Sequence, residues 1–380
     1  MSYLPLTADF RSIILGDIPL IDVRAPVEFA RGAFPGAVNL PLMNDEERRL
    51  VGTCYTHEGH EAAVALGHRL VNAQVRAPRI DAWAQFTRTH ENALLYCFRG
   101  GMRSQISQQW LFDHHGIVIP RLEGGYKALR RYLLEQLEQE IPAHFAARAL
   151  PLVLAGRTGT GKTILIRQME HAIDLEDIAH HRGSAFGRYL TPQPSQIDFE
   201  NRLAWKLIQL LHRQPGQVIF EDESQAVGAV NIPAPFFEVL KNAARVVVES
   251  SLEERIERTV QEYVTESQQR YAESGDLDCQ RWKTWMHANF HRIRKRLGME
   301  RYGRVAEAFD RAMVSQEAIG IPAAHREWVR IMLSEYYDPM YDYQMERAAS
   351  RVLFRGPAEQ VLEFLAMSAQ QRHHTRVLPC

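Results

Sequence analysis

Short apolar runs bounded by turn residues alternate with amphipathic stretches over the first 125 residues. PLIDVR (19–24) and GAVNLPL (36–42) read as buried strands, HEAAVALGHRLVNAQV (60–75) as a helix and ALLYC (93–97) as a strand. RSQISQQWLFDHHG (103–116) reads as a helix that Gly116 can end, and IVIPRLEGG (117–125) as strand and turn. Strands alternating with helices predict a parallel sheet covered on both faces. YKALRRYLLEQLEQEI (126–141) is helical, with an expected stop before Pro142. A second α/β pattern follows, with a strand over 150–155, a helix after Gly161, and strands at QVIFED (217–222) and ARVVVES (244–250). Beyond about residue 252 the pattern is mostly helical. The expected organisation is a parallel-sheet domain over 1–135, a helical linker over 136–149, a second α/β domain over 150–250, and a helical region over 251–380.

Composition narrows the class without deciding the chemistry. With 46% hydrophobic and 24% charged residues the chain is globular, and 380 residues suffice for two ordinary domains. A net charge of −1 means that any nucleic-acid surface must be local. Cys54, Cys97, Cys279 and Cys380 form no CxxC pair, which suits free thiols in a reducing compartment. No basic, apolar leader opens the sequence and no run approaches a membrane span, so the expectation is a cytoplasmic protein with no membrane partner.

The first candidate site is ALLYCFRGGMRS (93–104). The strand delivers Cys97 to its carboxyl end, where open parallel sheets place ligands. Gly100 and Gly101 let the backbone turn, and Ser104 is a candidate N-cap for a helix whose positive end would face the thiol. Arg99 and Arg103 add positive charge if their side chains turn inward, which would favour a thiolate. The C-x5-R spacing of Cys97 and Arg103 also admits phosphate-ester hydrolysis through a phosphocysteine. An isolated cysteine after a strand is ordinarily structural, but the glycines and arginines that follow favour a reactive one. Cys54 reads as an ordinary half-buried cysteine rather than a resolving partner, and Cys279 and Cys380 have no supporting context.

DVRAPVEFARGAFPGAVNLPL (22–42), YCFRGGMRS and RLEGGYKA (121–128) resemble successive landmarks of a rhodanese domain. The resemblance implies that Cys97 handles sulfur or selenium. The loop is one residue longer than the usual form of that family, which suits a phosphate-sized donor such as selenophosphate.

The second candidate site is LPLVLAGRTGTGKT (150–163), a complete phosphate loop between a strand and an amphipathic helix. Gly156, Gly159 and Gly161 free backbone N–H groups to ring a diphosphate, Lys162 reaches its terminal oxygens, and the Thr163 hydroxyl can bind Mg2+. VIFEDES (218–224) supplies carboxylates at a strand end, and Glu221, Asp222 and Glu223 all compete for an Mg2+ role, with Asp222 a candidate ligand beside Thr163. Alternation puts Glu221 and Glu223 on one face and Asp222 on the other. No guanine signature follows, so any diphosphate ester could be the ligand.

HRGSAFG (181–187) reads as either a substrate loop, with Arg182 as a contact, or a plain connection. RWKTWMHANFHRIRKRLGMERYGR (281–304) interleaves Arg292, Arg294, Lys295, Arg296 and Arg301 with Trp282, Trp285, Phe290 and Tyr302. Such a segment could hold RNA phosphates and stack on bases, or could be a solvated basic helix face.

A rhodanese-like domain joined to a phosphate-loop domain resembles the tRNA 2-selenouridine synthase family. LVGTCYTHEGHEAAVALGHRLV (50–71), HRGSAFG, FEDES and YYDPMYDYQ (336–344) carry the resemblance over nearly the whole chain. It implies two stages on a wobble 2-thiouridine in tRNA. Geranyl diphosphate alkylates the sulfur, and selenophosphate then replaces geranyl thiol through a selenylated Cys97. Selenophosphate synthase would supply the donor, the phosphate loop would hold the geranyl diphosphate with Mg2+, and the basic C-terminal half would hold the tRNA. The other readings are an ATP-driven sulfur relay, a C-x5-R phosphatase with a regulatory NTPase, and a tRNA-binding module without catalysis.

Overall fold

The computed structural model describes residues 4–147, 150–319, 322–348 and 351–377. The chain forms two compact units, one of residues 1–141 with 194–213 and one of residues 142–193 with 214–380.

The first unit is built on strands β1 (Leu6–Thr7), β2 (Leu20–Asp22), β3 (Val38–Asn39), β4 (Leu94–Tyr96) and β5 (Arg121–Leu122). They form a parallel sheet in the order β1-β5-β4-β2-β3. On one side Ile21, Val23, Leu95, Trp83 and Leu111 pack in a cluster that includes Cys97. Near β2, the buried Arg24 grips Asp22 at 2.6 Å, donates to the Gly32 carbonyl at 2.8 Å and lies 3.9 Å from the Tyr126 ring centre. The expected helix over 60–75 resolves into helices at His60–Leu70 and Ala73–Thr89, with Asn72 capping the second.

The Gln196–His212 helix belongs to this first unit, although its sequence lies within the expected second domain. Ser195 caps it, and Phe199, Leu203 and Leu207 are buried along one stripe. Asn201 Nδ2 donates to the Ala33 carbonyl at 2.7 Å, Gln209 Nε2 to the Ile14 carbonyl at 2.8 Å, and Arg130 pairs with Glu200. The helix pattern alone could not say which sheet this stripe covers.

The helix from Gly125 does not stop before Pro142. A wide turn at Gln136–Glu140, with Ile141 N–H bonded to the Gln136 carbonyl, carries it straight on into Ile141–Ala147, and this shifted register accommodates Pro142, which has no N–H to give. Positions 148 and 149 of the expected linker lie outside the described residues, as does Cys380.

The second unit contains β6 (Leu150–Ala155), β7 (Ala172–Ile173), β8 (Gln217–Glu221), β9 (Ala226–Val227), β10 (Val230–Asn231), β11 (Ala244–Val248) and β12 (Val352–Gly356). A parallel sheet runs β12-β11-β6-β8-β7, and β9 and β10 form a separate hairpin. β12 is a strand within the region expected to be helical, and it lies at the edge of the sheet, where half-buried and exposed residues alternate along it. Helices between Leu252 and Tyr337 pack around Trp282, Phe290, Phe309 and Trp328, whereas Val361 and Leu365 of the Ala358–Val377 helix cover the sheet. Among the described residues no helix is long and apolar enough to cross a membrane.

Candidate functional site

Cys97 sits directly after β4 with its side chain almost wholly buried, 3% exposed. Its thiol donates to Ser104 Oγ at 3.3 Å, and Ser104 Oγ in turn donates to the Gly101 carbonyl at 2.9 Å. Ser104 is therefore not the cap of the following helix. Gly101 takes that position, the helix starts at Met102, and Ser104 lies in its first turn, touching the thiol.

The loop is clamped by the third landmark, RLEGGYKA, largely backbone on backbone. Tyr126 N donates to the Cys97 carbonyl and Lys127 N to the Phe98 carbonyl, both at 2.9 Å, and Arg121 reaches the Gly100 carbonyl at 2.6 Å. Gly125 has φ +59°, and a Cβ there would lie 2.3 Å from the Cys97 carbonyl. The RLEGGYKA motif is thus the fixture against which the cysteine loop is formed.

The two arginines do not both turn inward. Arg103 pairs with Glu28 at 2.5 and 3.1 Å, and Arg99 is exposed, with its guanidinium 6.0 Å from the Phe98 ring centre. Burial works to raise the Glu28 carboxyl, but its bonds to Arg103 outweigh it and hold the group below its usual range. Arg103 therefore meets a carboxylate, which consumes its charge. Cys54 is buried, and burial, assisted by Glu58, pushes its thiol up.

The phosphate loop occupies the carboxyl end of β6, between β8 and β11. Lys162 begins the following helix, and its ammonium donates to the Gly156 carbonyl at 2.7 Å, folded back over the loop. Helix Leu252–Val260 braces the loop from outside: Arg255 Nε donates to the Thr158 carbonyl at 2.8 Å and Arg258 to the Gly159 carbonyl at 3.2 Å. YYDPMYDYQ holds the same loop through charge. Asp338 pairs with Arg255 at 2.5 Å and Asp342 with Arg157 at 2.7 Å.

Below Thr163 lies a carboxylate group that the sequence revealed only in part. Thr163 Oγ1 donates to Glu176 Oε2 at 3.3 Å, and Glu176 N donates to Glu221 Oε2 at 3.2 Å. Glu221 Oε1 is buried with no hydrogen-bond partner. Burial, then the neighbouring carboxylates, pushes Glu176, Glu221 and Glu223 upward. Asp222 lies 3.6 Å from Arg245. β8 ends at Glu221, so the expected alternation does not extend through 223, and Asp222 and Glu223 line the same cavity as Lys162 and Thr163 while Glu221 is buried beneath it. Glu176 lies in DLEDIA, which belongs to no familiar motif, so the sequence offered no signal for it.

HRGSAFG closes against this group. A Cβ at Gly183, where φ is +61°, would come within 2.6 Å of Glu223 and 2.8 Å of Glu176. Arg182 donates to the Glu262 carbonyl at 3.0 Å and lies over Tyr189 and Tyr263. Arg292 holds the same loop through the Ala185 carbonyl. Phosphate loop, carboxylates and HRGSAFG line one cavity of about 1190 Å³, which Arg188, Arg292 and Arg296 also enter.

The basic segment divides in the structure. Trp282 and Phe290 are fully buried core residues and are not available to stack on bases, while Trp285 and Tyr302 pack against that core. Arg301 and Arg304 lie against Glu335, and Arg294 caps the His291 carbonyl. Lys295 and Arg296 are exposed. Alternation at helical period explains why aromatics and cations that mix in sequence separate in space.

A family model for the AAA domain of tRNA 2-selenouridine synthase matches residues 149–372, and a rhodanese-like domain model matches residues 8–131. The chain belongs to the tRNA 2-selenouridine synthase family. The protein of that name from Sulfurovum sp. (strain NBC37-1) is 51% identical over 96% of this chain and 99% of its own length. The corresponding protein of Hydrogenovibrio crunogenus is 50% identical over the same shares, and that of Bordetella bronchiseptica 47% over 94% and 97%. The chain is an enzyme of this family, with both of its domains present.

Proposed function

We propose that the protein replaces sulfur by selenium in the wobble 2-thiouridine of tRNA, in two stages divided between its two loops. The observation that carries this reading is the pairing of a clamped cysteine loop with a complete phosphate loop in a full-length member of the family. In the first stage geranyl diphosphate is held by the phosphate loop with Lys162, and the thiocarbonyl sulfur displaces pyrophosphate from the geranyl carbon. Backbone N–H groups and Lys162 stabilise the charge that develops on the departing diphosphate. In the second stage geranyl thiol is displaced from C2 and leaves with a proton, selenium from selenophosphate takes its place on that carbon, and water takes the phosphoryl group as phosphate.

Electron count guides the placing of Cys97. Selenium in selenophosphate is already at the selenide level, so storing it on Cys97 through an S–Se bond would call for an oxidant. A balanced role is nucleophilic: the Cys97 thiolate displaces geranyl thiol from C2, and selenophosphate then displaces the cysteine. Ser104, hydrogen-bonded to the sulfur, positions it.

Mg2+ fits only part of the expected ligand set. Among the described residues no three His, Cys, Asp or Glu side chains are spaced to hold an ion directly. Thr163 with the diphosphate oxygens would hold it, and Asp222 and Glu223, which line the same cavity, would act through water. The ion would supply neutralising charge to the diphosphate.

For tRNA, Arg292, Lys295, Arg296 and Arg301 are the exposed cations of the original set, with Arg301 beside Glu335 and with Arg292 and Arg296 bordering the cavity. Selenophosphate synthase is the source of the donor, and the free thiols of Cys54, Cys97 and Cys279 suit the reducing cytoplasm.

The test is mass spectrometry of wobble nucleosides from 2-thiouridine tRNA incubated with geranyl diphosphate, without and with selenophosphate. Wild type should give the geranylated and then the selenium nucleoside. Cys97→Ala should stop at the geranylated form, and Lys162→Ala should form neither. No modified nucleoside from wild type would refute the reading, and Lys162-dependent ATP hydrolysis in its place would favour the sulfur relay.

A further inference from the structure

The rhodanese-like unit contains a second cavity, about 210 Å³, that the reaction as described leaves without a role. It opens between helices Asp45–Glu58 and His60–Leu70, which form one wall, and the first turns of the Met102–His115 helix, which form the other. Leu42, Val51, Val64, Val71, Ile106 and Trp110 give it an apolar floor. Met102 and Tyr55 stand at its lip, 40% and 58% exposed, although both are large apolar side chains.

Its position relative to the cysteine is the informative feature. Leu42, Val51, Val71, Ile106 and Trp110 belong to the same packed cluster as Cys97. Met102 and Arg103 line the cavity and immediately precede Ser104, which bonds the thiol. The apolar recess and the thiol therefore share one loop and one helix start.

We infer that this recess holds the geranyl chain of the alkylated uridine while its C2 faces Cys97, an inference that rests on the two-stage reading above. The geranyl chain of the leaving thiol is the one uncharged, purely hydrocarbon part of any substrate in that reading. Water gives it no favourable place, and burial of about 0.8 kcal/mol per methylene rewards a nearby apolar cavity. A branched ten-carbon chain has a volume of the order of this one. The diphosphate, the selenophosphate and the tRNA backbone are all anions, and the recess offers them no unpaired cation, because Arg103 is committed to Glu28. An occupied recess would fix the base by its substituent, and loss of geranyl thiol would release it. That gives the first stage a second purpose: the alkyl group is a handle as well as a leaving group.

The test compares two substrates in the second stage alone. Transfer RNA carrying S-geranyl-2-thiouridine or S-methyl-2-thiouridine is incubated with selenophosphate, and formation of 2-selenouridine is timed. Wild type should prefer the geranyl substrate. Val64→Trp, which fills the recess, should lower the geranyl-to-methyl rate ratio about tenfold or more. The milder Val51→Phe should lower it in the same direction. An unchanged ratio in both variants overturns the inference. A separate titration of the full-length protein with geranyl thiol, followed by calorimetry, should show binding to wild type that Val64→Trp weakens at least tenfold. If wild type binds geranyl thiol in this manner but converts neither alkylated tRNA, the two-stage reading fails while the recess stands. Conversion of both tRNAs with no geranyl thiol binding overturns the recess alone.

Discussion

Arg255 and Asp338 form a two-pronged ion pair at 2.9 and 2.5 Å, and Arg255 Nε simultaneously donates to the Thr158 carbonyl inside the phosphate loop. The pair is buried, so removing one partner leaves the other charge without compensation. Asp338→Ala is expected to destabilise the second unit by about 3 kcal/mol. It should also weaken pyrophosphate binding, because the loop loses its outer brace. Chemical denaturation and calorimetric titration check the two effects, and unaltered values for both would contradict the assignment.

Gly125→Ala addresses the other loop. A Cβ at 2.3 Å from the Cys97 carbonyl, on a residue with φ +59°, forces the clamp apart. The cost is expected to be about 2 kcal/mol or more, the left-handed penalty with a clash added. Iodoacetamide labelling of Cys97, followed by mass spectrometry, should become faster than in wild type as the buried thiol is exposed. An unchanged labelling rate would show that the clamp does not hold the loop.

The carboxylate group beneath Thr163 sets a pH dependence. Burial first and neighbouring carboxylates second raise Glu176 to about 8 from the ordinary 4.5. A carboxyl raised on folding favours the folded state fully below the unfolded value, and that contribution disappears as pH rises through the folded value. Stability in the absence of ligand should therefore fall between pH 4.5 and about 8. Glu176→Gln should flatten the fall, seen as a smaller decrease in Tm across that window, and should tighten pyrophosphate binding only above about pH 8, where the carboxylate it replaces is charged.

His325 titrates with the opposite sign. Its Nδ1 accepts the Trp328 indole N–H and its Nε2 donates to Gln316, both at 2.8 Å, so the ring is neutral with both nitrogens satisfied. Burial lowers it to about 4. Stability from this group is complete above the unfolded value near 6.5 and is lost as pH falls towards 4, by up to about 3 kcal/mol. Tryptophan fluorescence in urea at pH 7 and pH 4.5 should show that loss, and His325→Asn should reduce the difference between the two.

Much of this was legible in the sequence wherever the cue was local. The strands at 20–22, 94–96, 150–155 and 217–221, the cysteine loop and the phosphate loop all announce themselves within a few residues. What stayed hidden depends on partners far along the chain. Asp338 and Asp342 lie 83 and 185 residues from Arg255 and Arg157, and nothing in YYDPMYDYQ names an arginine as its partner. Glu176 acquires its meaning from Glu221, 45 residues on. The basic segment misled for a related reason, since Trp282 and Phe290 are spaced for a helix interior and only the fold says which face is inside.

The Gln196–His212 helix leaves the phosphate-loop unit in the middle of its sequence and completes the rhodanese-like one. Cutting the chain in the 142–149 connection would therefore not yield two self-sufficient products. The N-terminal fragment would lack the helix that covers Phe34 and Ile14, and the C-terminal fragment would carry that helix with its apolar stripe bare. Expressed together, the halves should find each other through that helix, as a peptide finds its groove. For this family, a fission of the gene at the apparent domain boundary would create an obligate heterodimer rather than two independent proteins.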